Sequence, residues 1–258
     1  MRAYARLALA GFRRYSTYRQ AMVAGLATNV AFGLLRLAVL LAAVTQGPIA
    51  GYDVASTATY VWLGQGLMAV VVLYSDKVLA DRVRSGDVVV DLYRPWNLQS
   101  AMFAEDLGRA GYAVVVRLVP PVAFGAVVFP FRWPAPMTLL AFAMSVVLAV
   151  TVSFGMRFLL NTTAFWLLDS RGVNALYTTC TWLLCGLTVP LSFYPEWAVP
   201  ILWSTPFAAM LQAPVDVFLE RGSPWPLLAA QAFWAVVVLA VGHLALGRAV
   251  RKVVVQGG

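Results

Sequence analysis

The densest run of ionisable side chains lies between residues 76 and 96, where Asp76, Lys77, Asp81, Arg82, Arg84, Asp87, Asp91 and Arg94 set four carboxylates against four cations around Gly86 and ahead of Pro95. Such a run holds neither a nucleophile with its base nor a metal-ligand set. Its chemistry is recognition, in which paired charges fix the register of a docked surface; the alternative is a solvated turn. Residues able to catalyse are scarce elsewhere. A phosphate-cradling loop, GxxxxGK followed by Ser or Thr, needs a lysine, and neither Lys77 nor Lys252 stands in that context. There is no GxSxG, and the single histidine, His243, sits toward the end of the last apolar run, where it reads as a packed polar group. Cys180 and Cys185 share one apolar stretch without the neighbours of a metal site, and none of the 11 acids has metal-ligand spacing. No catalysis, ATP hydrolysis included, is expected of this chain, and no cofactor or metal.

The elements that position the charged run follow from composition. Of the 258 residues 61% are hydrophobic and 12% charged, against about 25% charged in a soluble domain. A soluble core cannot hide that much apolar surface. Six apolar runs, at about 21–45, 55–74, 97–129, 137–166, 173–191 and 227–247, approach or exceed the roughly 20 residues that carry a helix across hydrocarbon. The expected fold is all-α and polytopic, one transmembrane domain over 1–258. Residues 1–20 form an amphipathic helix with Arg2, Arg6, Arg13 and Gln20 on one face and Tyr4, Leu7, Ala8, Phe12, Tyr15 and Tyr18 on the other. That apolar face is expected to sink into the headgroup boundary, with Arg14 and Arg19 snorkelling. Residues 76–85 continue as a helix that Gly86 ends with a left-handed cap, Asp87 starts a short second element, and Arg94-Pro95 stops it. Pro120-Pro121 kink the third span. Residues 192–226, cut by Pro195, Pro200, Pro206, Pro214 and Pro224, break into short re-entrant half-helices that close the outer end with Glu196, Asp216 and Glu220.

Charge sets the orientation. With both termini in the cytoplasm, that side takes Arg2, Arg6, Arg13, Arg14, Arg19, Lys77, Arg82, Arg84, Arg94, Arg109, Arg171, Arg248, Arg251 and Lys252, and the outside only Arg132 and Arg221. The net charge of +8 therefore serves topology and anionic lipid rather than nucleic acid. Arg36, Arg117 and Arg157 remain within the spans and must face protein, water or a snorkelling exit. The Arg-rich, Ala- and Val-rich usage points to a bacterial source.

Three stretches carry a resemblance: "WLGQG" at 62–66, "VRSGDVVVDLYRP" at 83–95 and "TPFAAMLQAPVDVFLERG" at 205–222. With the N-terminal amphipathic helix and six spans, they make the whole chain similar to ABC-2-type permeases of about 260 residues, the Arg-x-Gly then Leu-x-Arg-Pro pattern being the most specific part. The resemblance implies the membrane half of an exporter, paired with a second permease, identical or a sibling, and with two copies of a separate ATP-binding cassette ATPase that holds the ATP and magnesium. It also implies a bacterial cytoplasmic-membrane location. In such permeases the segment after the second span is a coupling helix docked on the ATPase, which places that role on Asp81, Arg84, Gly86, Asp87, Leu92, Arg94 and Pro95. Val83, Val88, Leu92 and Tyr93 are expected to give the docked surface its apolar contacts. For the substrate path the candidates are Gln65, between two glycines, and Tyr60, Trp62 and Met68, which offer aromatic and soft contacts to a small hydrophobic or amphipathic compound, with helix packing the alternative for each. Two rivals remain. A substrate-binding subunit of an importer, or a secondary carrier, predicts acids or polar pairs at mid-membrane, which the sequence does not display; a non-transporting scaffold predicts no ATPase partner.

Overall fold

The structure, a computed structural model, describes residues 2–16, 19–45, 47–167 and 170–256, with side chains for all but 16, 19–24 and 252–256. Tyr18, the side chains of Arg19, Gln20 and Lys252, and positions 168 and 169 of the polar turn before residue 173 lie outside the described residues. No strand occurs among the described residues.

The helices are α1 (Arg2–Ser16), α2 (Arg19–Val44), α3 (Val54–Val71), α4 (Val78–Ser85), α5 (Val88–Leu92), α6 (Leu98–Ala113), α7 (Val119–Val128), α8 (Pro136–Thr162), α9 (Arg171–Leu184), α10 (Val199–Trp203), α11 (Gln212–Phe218) and α12 (Pro224–Gln256). Five stretches among the described residues are long and apolar enough to cross a membrane: Gly25–Val44, Val54–Val71, Leu98–Val128, Pro136–Phe165 and Pro224–Arg251. The crossing expected at 173–191 is built differently. The 14 residues of α9 rise about 21 Å, short of the roughly 30 Å of hydrocarbon. Beyond it Gly186 takes a left-handed φ of 80°, with Gln212 in the space a Cβ would need, and Pro190 lacks an N–H to continue a helix. The segment is tied at both ends: Ser75 Oγ donates to Asn174 Oδ1 at 2.7 Å near its start, and beyond α9 Gln212 N donates to the buried Cys185 carbonyl at 3.0 Å.

α3 is the hub. Fourteen of its 18 residues are buried, so its sequence shows no amphipathic stripe, as a helix surrounded on all sides should not. Asp53 caps it, its carboxylate accepting from Ser56 N at 2.8 Å while its own N–H donates to Ser56 Oγ at 2.8 Å. Gly66 admits its neighbour, since a Cβ there would lie 2.9 Å from Leu118 Cα. Leu118 ends a π-helical turn, Val114–Leu118, with only Val119 between it and Pro120-Pro121; two residues without N–H groups free the preceding carbonyls, and the wider turn absorbs the change. At one face Leu79, Val88, Leu98, Phe154, Phe158, Phe165, Leu246 and Ala249 form a cluster that gathers α4, α5, the start of α6 and the ends of α8 and α12. At the opposite face Arg132 pairs with Asp53 at 2.8 Å, Arg221 donates to the Ala50 carbonyl at 2.7 Å, and Glu220 accepts from Thr138 at 2.7 Å. The two outer arginines of the sequence reading therefore share one face. α10 and α11 are the short helices expected of the Pro-rich segment, and every residue of α11 is buried.

α1 differs from expectation. It does not give its apolar stripe to lipid alone: Tyr4, Leu7, Ala8 and Gly11 turn toward α6. A Cβ at Gly11 would collide with the Glu105 carbonyl and one at Gly108 with the Ala8 carbonyl, so the two backbones touch, and Phe12 meets Tyr112 edge to face at 5.4 Å. Close approach through glycine satisfies this helix against protein, leaving Leu9, Phe12 and Tyr15 exposed.

Candidate functional site

The charged run folds into an elbow of two short helices. α4 starts from the buried pair Leu79 and Ala80, with Asn161 Oδ1 of α8 accepting from Ala80 N at 3.0 Å. Gly86 closes it at φ 84°, in the left-handed region, with nothing within 4 Å of where a Cβ would project. Asp87 precedes α5 without capping it, because Ser85 Oγ takes its carboxylate at 2.7 Å. Arg82 locks the two helices together through the buried Asp91 at 2.6 Å, and Arg94 stands 3.7 Å from the same carboxylate while lying over Trp96 at 5.4 Å. Arg84 donates to Ser170 Oγ, at the base of α9, at 3.2 Å.

Asp81, Arg84, Gly86, Asp87, Arg94 and Pro95 are exposed on the elbow. The apolar half of the expectation is corrected. Val88 is buried, and Val83 and Leu92 pack on the same cluster, so these side chains fasten the elbow to the permease rather than offering an outer surface. The outward apolar residues are Val89, Val90 and Tyr93, the last 87% exposed. The cause is the short α5: its single turn must bury one side to hold the elbow down, and Val88 and Leu92, four apart, share that side.

Beneath the elbow lies a buried network that the sequence reading did not find. Arg157 of α8 pairs with Asp76, in the stretch leading to α4, and with Asp106 of α6 at 2.7 Å. Arg109 also binds Asp106 at 2.7 Å and donates to the carbonyls of Ala69 and Val70 at 3.0 and 2.8 Å. Ser153 donates to the carbonyls of Val71 and Val72. These are the carbonyls that α3 leaves open where it breaks at Val72, φ 55°. One ion cluster thus ties α3, α6 and α8 to the root of the elbow. A signal was present: Ser153, Arg157 and Asn161 repeat every four residues on one face of an apolar helix, and Asp106 precedes Arg109 by three. The cluster sits at the level where α3 ends, not midway across the spans.

Above it opens a cavity of about 1330 Å³ whose wall comes chiefly from α1, α2, α3, α6 and α8, with Trp182 and residues 187–189. Of the four substrate-path candidates, Gln65 and Met68 line it. Tyr60 and Trp62 do not. Tyr60, fully buried, bonds Arg36 Nη2 at 3.0 Å and donates to the Gly186 carbonyl; Trp62 fills the gaps left by Gly33 and Gly125 and packs on Phe124 at 4.9 Å. Asn29, unremarked in sequence, joins the wall, donating to the Gln65 carbonyl at 3.0 Å. Among the described residues no three His, Cys, Asp or Glu side chains cluster as metal ligands.

An all-α polytopic bundle with a polar elbow at the face where α12 ends defines a membrane-embedded protein that presents a structured surface outside the bilayer. The family model for ABC-2 family transporter protein matches residues 28–257, and the chain belongs to that family. It is accordingly a membrane permease of an ABC transporter; permeases of this family are in general non-catalytic and work with an ATPase subunit. Comparison with curated proteins and with solved structures returned no match.

Proposed function

We propose that this permease exports a small hydrophobic or amphipathic compound across a bacterial cytoplasmic membrane, with both termini in the cytoplasm. It pairs with a second permease, identical or a sibling, and takes its energy from two copies of a separate ATPase in which ATP and magnesium reside. The observation that carries this reading is the two-sidedness of the elbow. Its inner side is bolted to the bundle by the Val88 cluster and the Arg157 ions, while its outer side presents Asp81, Arg84, Asp87, Val90, Tyr93 and Arg94. A partner seated there moves the elbow as a lever. Because Asp76 leads into α4 and shares Arg157 with Asp106, a displacement passes to α6 and α8 together and, through Arg109 and Ser153, to the end of α3. Those helices wall the cavity, so the lever alters its shape and alternates its access. Gln65 and Met68 are its contacts to cargo, while Tyr60 and Trp62 hold the wall rigid.

The test is co-purification with the cognate ATPase, followed by Arg84→Glu and Gly86→Pro. Both are expected to weaken association, or to uncouple hydrolysis from transport, with membrane insertion intact. Normal coupling in both variants removes the docking assignment, and an ATPase that never associates with the chain favours a scaffold.

A further inference from the structure

The cavity wall is unevenly charged. It carries five guanidiniums, from Arg14, Arg36, Arg109, Arg117 and Arg157, against three carboxylates, from Asp76, Glu105 and Asp106. Asp76 and Asp106 are consumed by Arg157 and Arg109. Glu105 stands exposed on α6, near α1. Arg36 meets only neutral groups, the Tyr60 hydroxyl and the Thr188 carbonyl, and its Nη1 is buried without an acceptor. Arg117 has no ion pair and no hydrogen bond among the described residues. A guanidinium inside a spanning helix that faces a cavity and lacks a protein partner marks a candidate substrate contact.

The placement of Arg117 is built. Its guanidinium lies over Gly25 of α2, where a Cβ would come within 2.5 Å of Nη1. One turn further along the same face stands Asn29, whose Oδ1 is buried without a donor, beside Gln65, whose Oε1 is buried without one as well. Both residues are more than nine-tenths buried and line the cavity. Phe32 and Leu35 follow, then Arg36, about 16 Å along the axis from Gly25, and Val39 beyond it. Along α2 the wall thus meets the guanidinium that Arg117 lays over Gly25, then the acceptors of Asn29 and of Gln65 from α3, then an apolar strip that Arg36 interrupts.

Resting on the permease reading above, the geometry points to a narrower cargo class: amphipathic anions, whose acidic head pairs with Arg117, whose hydroxyl or amine donors meet Asn29 and Gln65, and whose apolar part lies along Phe32, Leu35 and Val39. A neutral or cationic amphiphile offers Arg117 no counter-charge.

The test uses the full chain in phosphatidylcholine nanodiscs and three fluorescent C12 probes of one tail: the carboxylate, its methyl ester and the matching amine. The carboxylate is expected to bind saturably and about tenfold more tightly than the ester, the scale of one charge-assisted hydrogen bond, with the amine weakest. Arg117→Gln should bring the acid to the ester's affinity, and Arg117→Lys should keep most of the preference. Should Arg117→Gln fail to fold, Gly25→Ala displaces the guanidinium while keeping it, with the same loss expected. Equal affinities for acid and ester, or a preference that survives these variants, overturns the inference. Adding phosphatidylglycerol separates the sources: competition assigns the anion to a membrane lipid headgroup, and its absence to a distinct cargo, the anion chemistry standing in either case. Charge-blind saturable binding by a chain that still couples to its ATPase sinks the anion inference alone, whereas a chain that binds the acid but never engages an ATPase sinks the transport reading alone.

Discussion

Arg157 is the most informative residue to perturb, because a single guanidinium joins the root of the elbow to two spanning helices. Its side chain is 6% exposed, that of Asp106 9% and that of Asp76 28%. Arg157→Gln leaves Asp106 its second partner, Arg109, but takes from Asp76 its cation and leaves it the Asn161 amide, 3.2 Å from Oδ1. Breaking a buried ion pair from one side costs about 3–5 kcal/mol; the remaining partner and the wet side of Asp76 put the loss at the lower end, about 3 kcal/mol. For a chain of this length that corresponds to a fall in melting temperature of about 6–12 °C. The pairwise part is obtained from a cycle with Asp76→Asn. A contact pair at an effective dielectric of 20 has a ceiling of about 4 kcal/mol, and the exposure of Asp76 reduces it to about 1–2 kcal/mol. Thermal unfolding in detergent, followed with a thiol-reactive dye in a Cys180→Ser background, suits the measurement because Cys180 is only half-buried whereas Cys185 is fully buried and reacts only as the bundle opens. Additivity of the two substitutions within about 0.3–0.5 kcal/mol would refute the linkage, and with it the route by which the elbow moves α6 and α8.

The cavity assignments separate by energy: Trp62→Ala should cost about 3–5 kcal/mol of stability, as loss of a buried aromatic does, whereas Met68→Ala, at a residue only partly buried against the same core, should cost clearly less and weaken ligand binding in an equilibrium assay. Gly86→Ala meets no neighbouring atom and should cost only the backbone penalty of the left-handed region, about 1 kcal/mol, with ATPase coupling retained, in contrast to Gly86→Pro. Gly108→Val should lever α1 off α6, seen as new protease cleavage within residues 2–16 of a protein that still inserts. At the outer face, hydrogen bonds from Ser56 hold the Asp53 carboxyl below the usual range, with Arg132 adding to them, and the Thr138 hydroxyl with Ala135 N does the same for Glu220. Folded-state values that are depressed give stability that is present above the unfolded carboxylate range and lost as pH falls through it, below about 4; unfolding scans should show a shallower acid loss in Asp53→Asn with Glu220→Gln.

Periodicity and length made the spans legible. Proline placed the breaks at 130–136 and 192–226, Gly86 announced its own cap, and the asymmetry of arginines separated two faces that the ion pairs of Arg132 and Arg221 also distinguish. What pattern alone could not reveal was which apolar side chains face inward at the elbow. Val83, Val88, Val89, Val90 and Leu92 are of one chemical kind, and only the packing of α5 on Phe154, Phe158 and Leu246 sorts them. The same limit hid Tyr60 and Trp62, whose neighbours are a carbonyl beyond α9 and two glycines far away in the chain. The Arg157 cluster escaped for another reason: its members stand in separate runs and acquire meaning only when three helices converge.

The left-handed break at Val72 has one more consequence. The last carbonyls of α3 are divided between two owners, Ala69 and Val70 held by a cation on α6, Val71 and Val72 by a hydroxyl on α8. If those two helices slide past each other, one owner must let go, and the carbonyl of Val70 or Val71, whose residues are fully buried, is unfavourable without a donor until another captures it. Intermediate positions are therefore disfavoured, and the bundle should snap between two settings like a latch, without drifting through a continuum.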